Sequence, residues 1–146
     1  MKIDIRKAES QDFPAIMQMI HEFAEFLGKS EKLETSVEDL IQNKEYFICL
    51  IAETEDKKPA GYALVSYNYH TWTGKSIYLD DLFVKEQFRG KHVGSKLIHA
   101  IFDLARTSDC KTVSWEVLNY NKNAIEFYKS LGAIIGDDNL NCVFKL

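Results

Sequence analysis

The spacing of apolar residues changes several times along this chain, and each change predicts an element. Lys2–Arg6 alternates apolar and polar positions, the pattern of a strand. Ser10 stands as an N-cap before Phe13, Ile16, Met17, Ile20, Phe23, Ala24 and Leu27, which share one helical face. Gly28 is placed to stop that helix. Thr35 and Glu38 have capping-box spacing for a short helix through about Gln42, which makes Glu38 structural rather than catalytic. Tyr46–Ala52 reads as a buried strand, Glu53–Pro59 as a polar turn and Ala60–Tyr69 as the next strand. His70–Lys75, with Trp72 and Gly74, is a hairpin tip, and Ser76–Val84 is a long strand. Val93, Leu97, Ile98, Ile101, Phe102 and Ala105 form the stripe of a second long helix. Thr112–Val117 is a strand. Asn121 caps a last helix with Ala124, Ile125, Phe127, Tyr128 and Leu131 inward and Gly132 at its end. Ala133–Ile135 and Asn141–Leu146 are expected to finish as strands.

The order β-α-α-β-β-β-α-β-α-β-β predicts a mixed α/β sandwich, antiparallel early and with a crossover later. The unit from Ser76 to Val117 should be a right-handed parallel crossover, with a ligand beyond the carboxyl end of its first strand. A length of 146 residues fits one domain, 1–146, with an adequate core. Hydrophobic content of 46% and charged content of 27% predict a globular chain. The net charge of −4 argues against general nucleic-acid binding and favours cationic substrates. Met1-Lys2-Ile3 leads straight into a strand, leaving no room for a signal peptide, and no apolar run is long enough to span a membrane. Cys49, Cys110 and Cys142 are scattered and lack metal-site spacing, so they read as reduced thiols in a cytoplasmic protein. His21, His70, His92 and His99 show no metal spacing either, and no metal is expected; His21 and His99 read as exposed helix residues.

The segment Leu82–Leu97 holds the most chemistry. An apolar strand ends at Leu82-Phe83-Val84, a basic turn with Arg89, Gly90, Lys91 and His92 follows, and a helix opens at Val93-Gly94-Ser95. Unpartnered N–H groups and the positive dipole end suit a phosphate or pyrophosphate there. The glycines let it approach the main chain. Taken alone, the same residues also fit an ordinary βα turn with a solvated arginine. Asp80 and Asp81 interrupt the strand just upstream; strict alternation puts them on opposite faces, and a buried carboxylate there needs a reason.

Arg89-Gly90-Lys91-His92-Val93-Gly94 resembles the acyl-CoA signature of the GNAT acetyltransferase superfamily, with His92 where the first glycine usually stands. Trp72–Lys75, Ile77–Val84 and Asn121–Gly132 are similar to the diamine, or spermidine/spermine, acetyltransferase type. The resemblance covers nearly the whole chain. It implies a GNAT fold: a mixed central sheet, helices on both faces and a splayed acetyl-CoA cleft.

The resemblance also implies roles. Backbone N–H groups of Leu82, Phe83 and Val84 would polarise the thioester carbonyl. Arg89, Gly90, Lys91, His92, Val93, Gly94 and Ser95 would grip the pyrophosphate, and Asn121, Asn123 and Ala124 would touch the pantetheine arm. Tyr128 would be the general acid for the departing sulfur; a core packing role is its alternative. Asp80 would bind the substrate ammonium and accept its proton, and Asp81, Glu116 and Trp72 would join the substrate site, Trp72 within an aromatic wall with Tyr67 and Tyr69. The expected activity is direct acetyl transfer in a ternary complex to a primary amine of a diamine, polyamine or lysine-like amino acid. Alternatives are a non-catalytic acyl-CoA-binding module and a peptide or aminoglycoside acetyltransferase. Acids expected near the end of the first long helix are replaced by Phe26-Leu27, which weakens polyamine selectivity. Family resemblance also implies a homodimer.

Overall fold

The computed structural model describes residues 1–137, 142–143 and 145–146. They group into two compact units, Met1–Trp115 and Glu116–Leu146. The first unit is built on a sheet of β1 (Ile3–Lys7), β2 (Ile48–Thr54), β3 (Pro59–His70), β4 (Gly74–Val84) and β5 (Thr112–Ser114), in that spatial order. Neighbours are antiparallel except β4 and β5, which are parallel. Helices α1 (Phe13–Phe26) and α2 (Val37–Gln42) come before β2, and α3 (Val93–Thr107) crosses from β4 to β5.

Alternation along β3 gives α1 and α2 one face and α3 the other. Tyr62 joins a core with Phe13, Ile16, Met17 and Met19 of α1, Leu40 of α2, and Cys49, Ile51 and Phe83. Its neighbour Gly61 points the other way: a Cβ there would come within 3.4 Å of Leu97 on α3. That second face is sealed by Val93, Leu97, Ile98, Ile101 and Ala105, all buried. Burying each of the larger of these side chains is worth about 1.5–3 kcal/mol, so the two apolar stripes are the main source of cohesion here.

Two irregularities shape the sheet. Ala52 pairs with Gly61 and Glu53 with Pro59, so Ala60 is an extra residue on β3. Leu64 pairs with Asp81 and Val65 with Leu79, so Asp80 is an extra residue on β4. At the first bulge the buried Glu53 accepts from Arg6 Nε at 3.0 Å and from Lys57 Nζ at 3.3 Å. Arg6 also grips both oxygens of Asp12 at 2.8 Å, which ties β1 to the start of α1. The Arg6 hydrogen bond holds the Glu53 carboxyl below its ordinary range.

Several boundaries differ from the sequence reading. Ser10 does not cap α1; it opens a 3-10 turn, Ser10–Asp12, whose capping box is formed by Glu9 and Asp12. The second box is Ser36–Asp39, one residue beyond Thr35–Glu38, because Ser36 has the extended backbone that lets its Oγ accept the Asp39 N–H. Met19, absent from the expected stripe, is fully buried. Gly28, at φ +68°, ends α1 as expected. Strand β5 stops at Ser114, three residues early.

In the second unit α4 (Lys122–Ser130) starts as read: Asn121 Oδ1 accepts the Ala124 N–H at 3.3 Å. Ala133–Ile135 is not a strand; the Ala133 N–H turns back to the Tyr128 carbonyl at 3.1 Å and finishes the helix end instead. Of the expected strand Asn141–Leu146, Asn141 and Phe144 lie outside the described residues, and the rest is not in strand.

Candidate active site

The bulge on β4 decides where its two carboxylates point. An inserted residue breaks the two-residue period, so Asp80 and Asp81 no longer project to opposite faces as plain alternation predicts. Both line one cleft of about 550 Å³. The cleft lies between the end of α1, the Lys29–Thr35 stretch, α2 and the middle of the sheet, with Ile20, Phe23, Leu27, Leu40, Phe47 and Leu64 supplying apolar wall.

The two aspartates differ in environment. Asp80 is exposed, whereas Asp81 reaches inward and accepts the Tyr62 hydroxyl at 2.7 Å. Burial pushes the Asp81 carboxyl up to about 6; the Tyr62 hydrogen bond opposes that rise and the nearby Asp80 charge adds to it. Among the described residues no cation contributes. Tyr62 is fully buried, and burial with the Asp81 charge drives its phenol far above its ordinary value, so it stays a donor. Cys49 lies in the same core, and burial followed by the Asp81 charge pushes its thiol up to about 12. That is the opposite of an activated nucleophile.

The cradle is the second part of the site. Beyond Tyr78 the outer edge of β4 has no strand partner among the described residues, because β5 pairs only with Ser76–Tyr78. This edge of β4 is therefore open among the described residues. Lys85 N–H donates to the Ala60 carbonyl on β3, and the Val84 carbonyl accepts Arg89 Nε at 2.9 Å. Alternation then aims the main-chain groups of Leu82 and Val84 outward and those of Phe83 toward β3. At the start of α3 the first intrahelical bond runs from Lys96 N–H to the His92 carbonyl, so the Val93, Gly94 and Ser95 amides precede the ladder.

His92 occupies a left-handed N-cap at φ 66° and Gly90 lies at φ +74°. The glycine usual at the His92 position is thus a conformational requirement, and histidine is among the residues that tolerate it. Gly94 brings the helix close to β4: a Cβ there would sit 3.6 Å from Val84 Cγ2, an ordinary contact. Arg89 is stacked over Phe26 at 4.6 Å and Phe83 at 5.7 Å, which leaves the exposed Lys91 and the helix end as the charge facing outward.

Trp72, at the hairpin tip, is 97% exposed and is not among the cleft lining. Tyr67 bonds Ser108 Oγ at 2.9 Å and lies under the Lys75 ammonium, so it packs the hairpin against the end of α3. In the second unit, Tyr128 is half-buried beside Phe127, and burial raises its phenol. Asn121 caps α4, Asn123 is exposed, Ala124 is half-buried in the first turn and Glu116 is exposed. Sequence reasoning missed Tyr62, whose hydroxyl sits in the otherwise apolar first half of β3, and Lys29 and Lys32, which line the cleft. Strand register would have found the first; nothing local marks the lysines.

The Acetyltransferase (GNAT) family model matches residues 9–133. Thialysine N-epsilon-acetyltransferase of Sus scrofa is 36% identical over 140 residues, covering 88% of this chain and 82% of that protein. Spermidine/spermine N(1)-acetyltransferase-like protein 1 of Homo sapiens is 32% identical over 140 residues, covering 89% of this chain and 20% of that protein. Among solved structures, an aminoglycoside acetyltransferase from an uncultured soil metagenomic sample superposes with a TM-score of 0.82 at 20% identity, covering 99% of this chain and 96% of that one, a likeness of fold. With its mixed five-stranded sheet, its glycine-patterned α3 start and these relatives, the chain belongs to the acetyltransferase (GNAT) family.

Proposed function

We propose that this acetyltransferase acts on a side-chain or terminal amine of a small cationic substrate (a diamine, a polyamine or a lysine-like amino acid) and that Asp81 is the base. The observation that carries this reading is the pair of bulge carboxylates in one apolar-walled cleft. A carboxylate pushed up to about 6 is a better proton acceptor than an ordinary aspartate and is still ionised at neutral pH. Asp80, at the exposed side, would hold the ammonium, and Asp81 would take its proton directly or through water. An alkylammonium with a pKa near 10.4 must lose that proton before its nitrogen can attack.

Acetyl-CoA, the family's acyl donor, supplies an activated thioester when bound. The residues present fit it. Leu82 and Val84 offer outward N–H groups at the free edge of β4 to polarise a carbonyl. The Val93, Gly94 and Ser95 amides, with Gly90, Lys91 and His92 around them, would hold the pyrophosphate, and Arg89, bonded to the Val84 carbonyl, would brace the turn that carries them. Phe83 would serve by packing. Tyr128, kept protonated by burial, would donate to the departing sulfur, with Asn121, Asn123 and Ala124 along the pantetheine arm. The raised Cys49 thiol favours direct transfer over an acetyl-cysteine intermediate. We also propose that residues 1–146 act as one catalytic domain, in the cytoplasm and as a homodimer.

The test is release of free CoA from acetyl-CoA with purified protein and a panel of diamines, polyamines, amino acids and aminoglycosides. Release is expected with amines carrying a flexible aminoalkyl arm. No release with any amine refutes the reading.

A further inference from the structure

Arg89 stands in the turn before α3, yet its side chain reaches back to two other elements. Its Nε donates to the Val84 carbonyl at 2.9 Å, which ties the turn to the end of β4. Its guanidinium carbon lies 4.6 Å from the centre of the Phe26 ring and 5.7 Å from that of Phe83. No carboxylate pairs with it among the described residues. Phe26 is the last residue of α1 and is absent from the cleft lining, whereas Phe23 and Leu27 beside it wall the cleft. Phe83 packs on Phe23 at 5.4 Å and on Tyr62, the donor to Asp81, at 6.1 Å.

Phe26 is 59% exposed, so the core does little to hold it. The guanidinium covers part of that ring and joins the end of α1 to the strand end whose N–H groups face the cofactor. A cation–π pair in water holds weakly, and one shielded from water is several-fold stronger. Occupation of the cradle takes water from the turn that carries Arg89, and so tightens its grip on α1.

We infer that Arg89 is a positioning residue, which through Phe26 couples the filling of the cofactor cradle to the ordering of the cleft wall. The link from cradle to α1 needs only the family's cofactor; its effect on the amine rests on the proposed use of the cleft. A hold that differs between empty and filled cradle is what lets one ligand change the affinity for another.

The experiment follows hydrogen exchange at Leu27, Gly28 and Lys29, whose amides close the end of α1 on the Phe23, Glu25 and Ala24 carbonyls, with and without saturating CoA. Wild type is compared with Phe26→Leu, which keeps an apolar side chain without the ring, and Phe26→Tyr, which keeps the ring. CoA should slow exchange about fivefold in wild type and Phe26→Tyr and leave it unchanged in Phe26→Leu. At saturating acetyl-CoA, KM values for 1,5-diaminopentane, spermidine and L-lysine should rise about fivefold in Phe26→Leu, with kcat near wild type, and stay near wild type in Phe26→Tyr. Absence of CoA protection in wild type, or equal protection in Phe26→Leu, overturns the inference. So does a Phe26→Tyr variant as impaired as Phe26→Leu, or a Phe26→Leu variant whose loss lies in kcat alone. Turnover of no amine refutes the proposed function, while the exchange result still decides the link between cradle and α1.

Discussion

Glu53 and Asp81 each sit beside a β-bulge of the same sheet, and the protein treats them in opposite ways. Glu53 is covered by two cations, Arg6 and Lys57, and its carboxyl is held below its ordinary range. Asp81 has a neutral phenol as its hydrogen-bond partner and a second carboxylate nearby, and its carboxyl is pushed up to about 6. Both side chains leave water, so burial alone does not separate them. The difference lies in what replaces the water. A paired cation makes the charged form the stable one, and the group becomes a strut. Burial that is only partly offset by a hydroxyl donor and is reinforced by a like charge leaves the charged form poorly compensated, which is the environment the proposed base requires.

The comparison breaks first, and furthest, at Asp81. Asp81→Asn keeps an oxygen that can accept the Tyr62 hydroxyl but cannot take a proton. It should lower kcat/KM by roughly 10²–10⁴, the usual worth of a positioned base. The same variant should melt higher than wild type at pH 8 and alike at pH 4. The sign follows from a folded-state value of about 6 against 3.8 when unfolded. Protonation favours the folded form, so the cost of keeping Asp81 charged accrues as pH rises through that interval and is fully present above it. A variant that is both inactive and less stable at pH 8 would show Asp81 to be another strut.

At Tyr128 the expected loss is next in size. Tyr128→Phe should lower kcat by about 10²-fold while CoA affinity, measured calorimetrically, stays near wild type. Equal loss in both would make it a packing residue. Glu53→Gln acts on the other arm of the comparison. Thermal unfolding at pH 7 should show a loss of about 2 kcal/mol, with kcat unaffected. Because the Glu53 value is lowered on folding, its contribution is present above the ordinary carboxylate range and fades as pH falls through its folded value. The gap between variant and wild type should therefore narrow in acid. Smallest is Tyr62→Phe. Removing a donor that lowers the Asp81 value should shift the acid limb of activity upward in pH, with only a few-fold change at pH 8.

The strut and the proposed base were not equally legible in sequence. Apolar periodicity located both long helices, because the α1 and α3 stripes face packed surfaces, and Gly28 and Gly132 marked the ends of α1 and α4 through positive φ. The cradle was legible because a glycine turn and a helix start are local features. The bulge at Asp80 was not. It depends on how β3 and β4 register, and a strict two-residue period sent the two aspartates to opposite faces when they share a cleft. Tyr62 and Asp81 are 19 residues apart, and Arg6 and Glu53 are 47 apart, so neither pairing has a local signature. The Ser36–Asp39 box shows the same limit at short range: Thr35 and Ser36 are both good caps, and the backbone chose between them.

The central claim is that Asp81, made basic by its bulge and its burial, accepts the proton of the amine. The pH dependence of kcat/KM for the best amine of the panel tests it most directly, measured with wild type and Asp81→Asn side by side. Wild type should lose activity below an acid limb near pH 6, and the residual activity of the variant should lack that limb. A variant that keeps wild-type activity, or one that keeps the limb near pH 6, contradicts the claim.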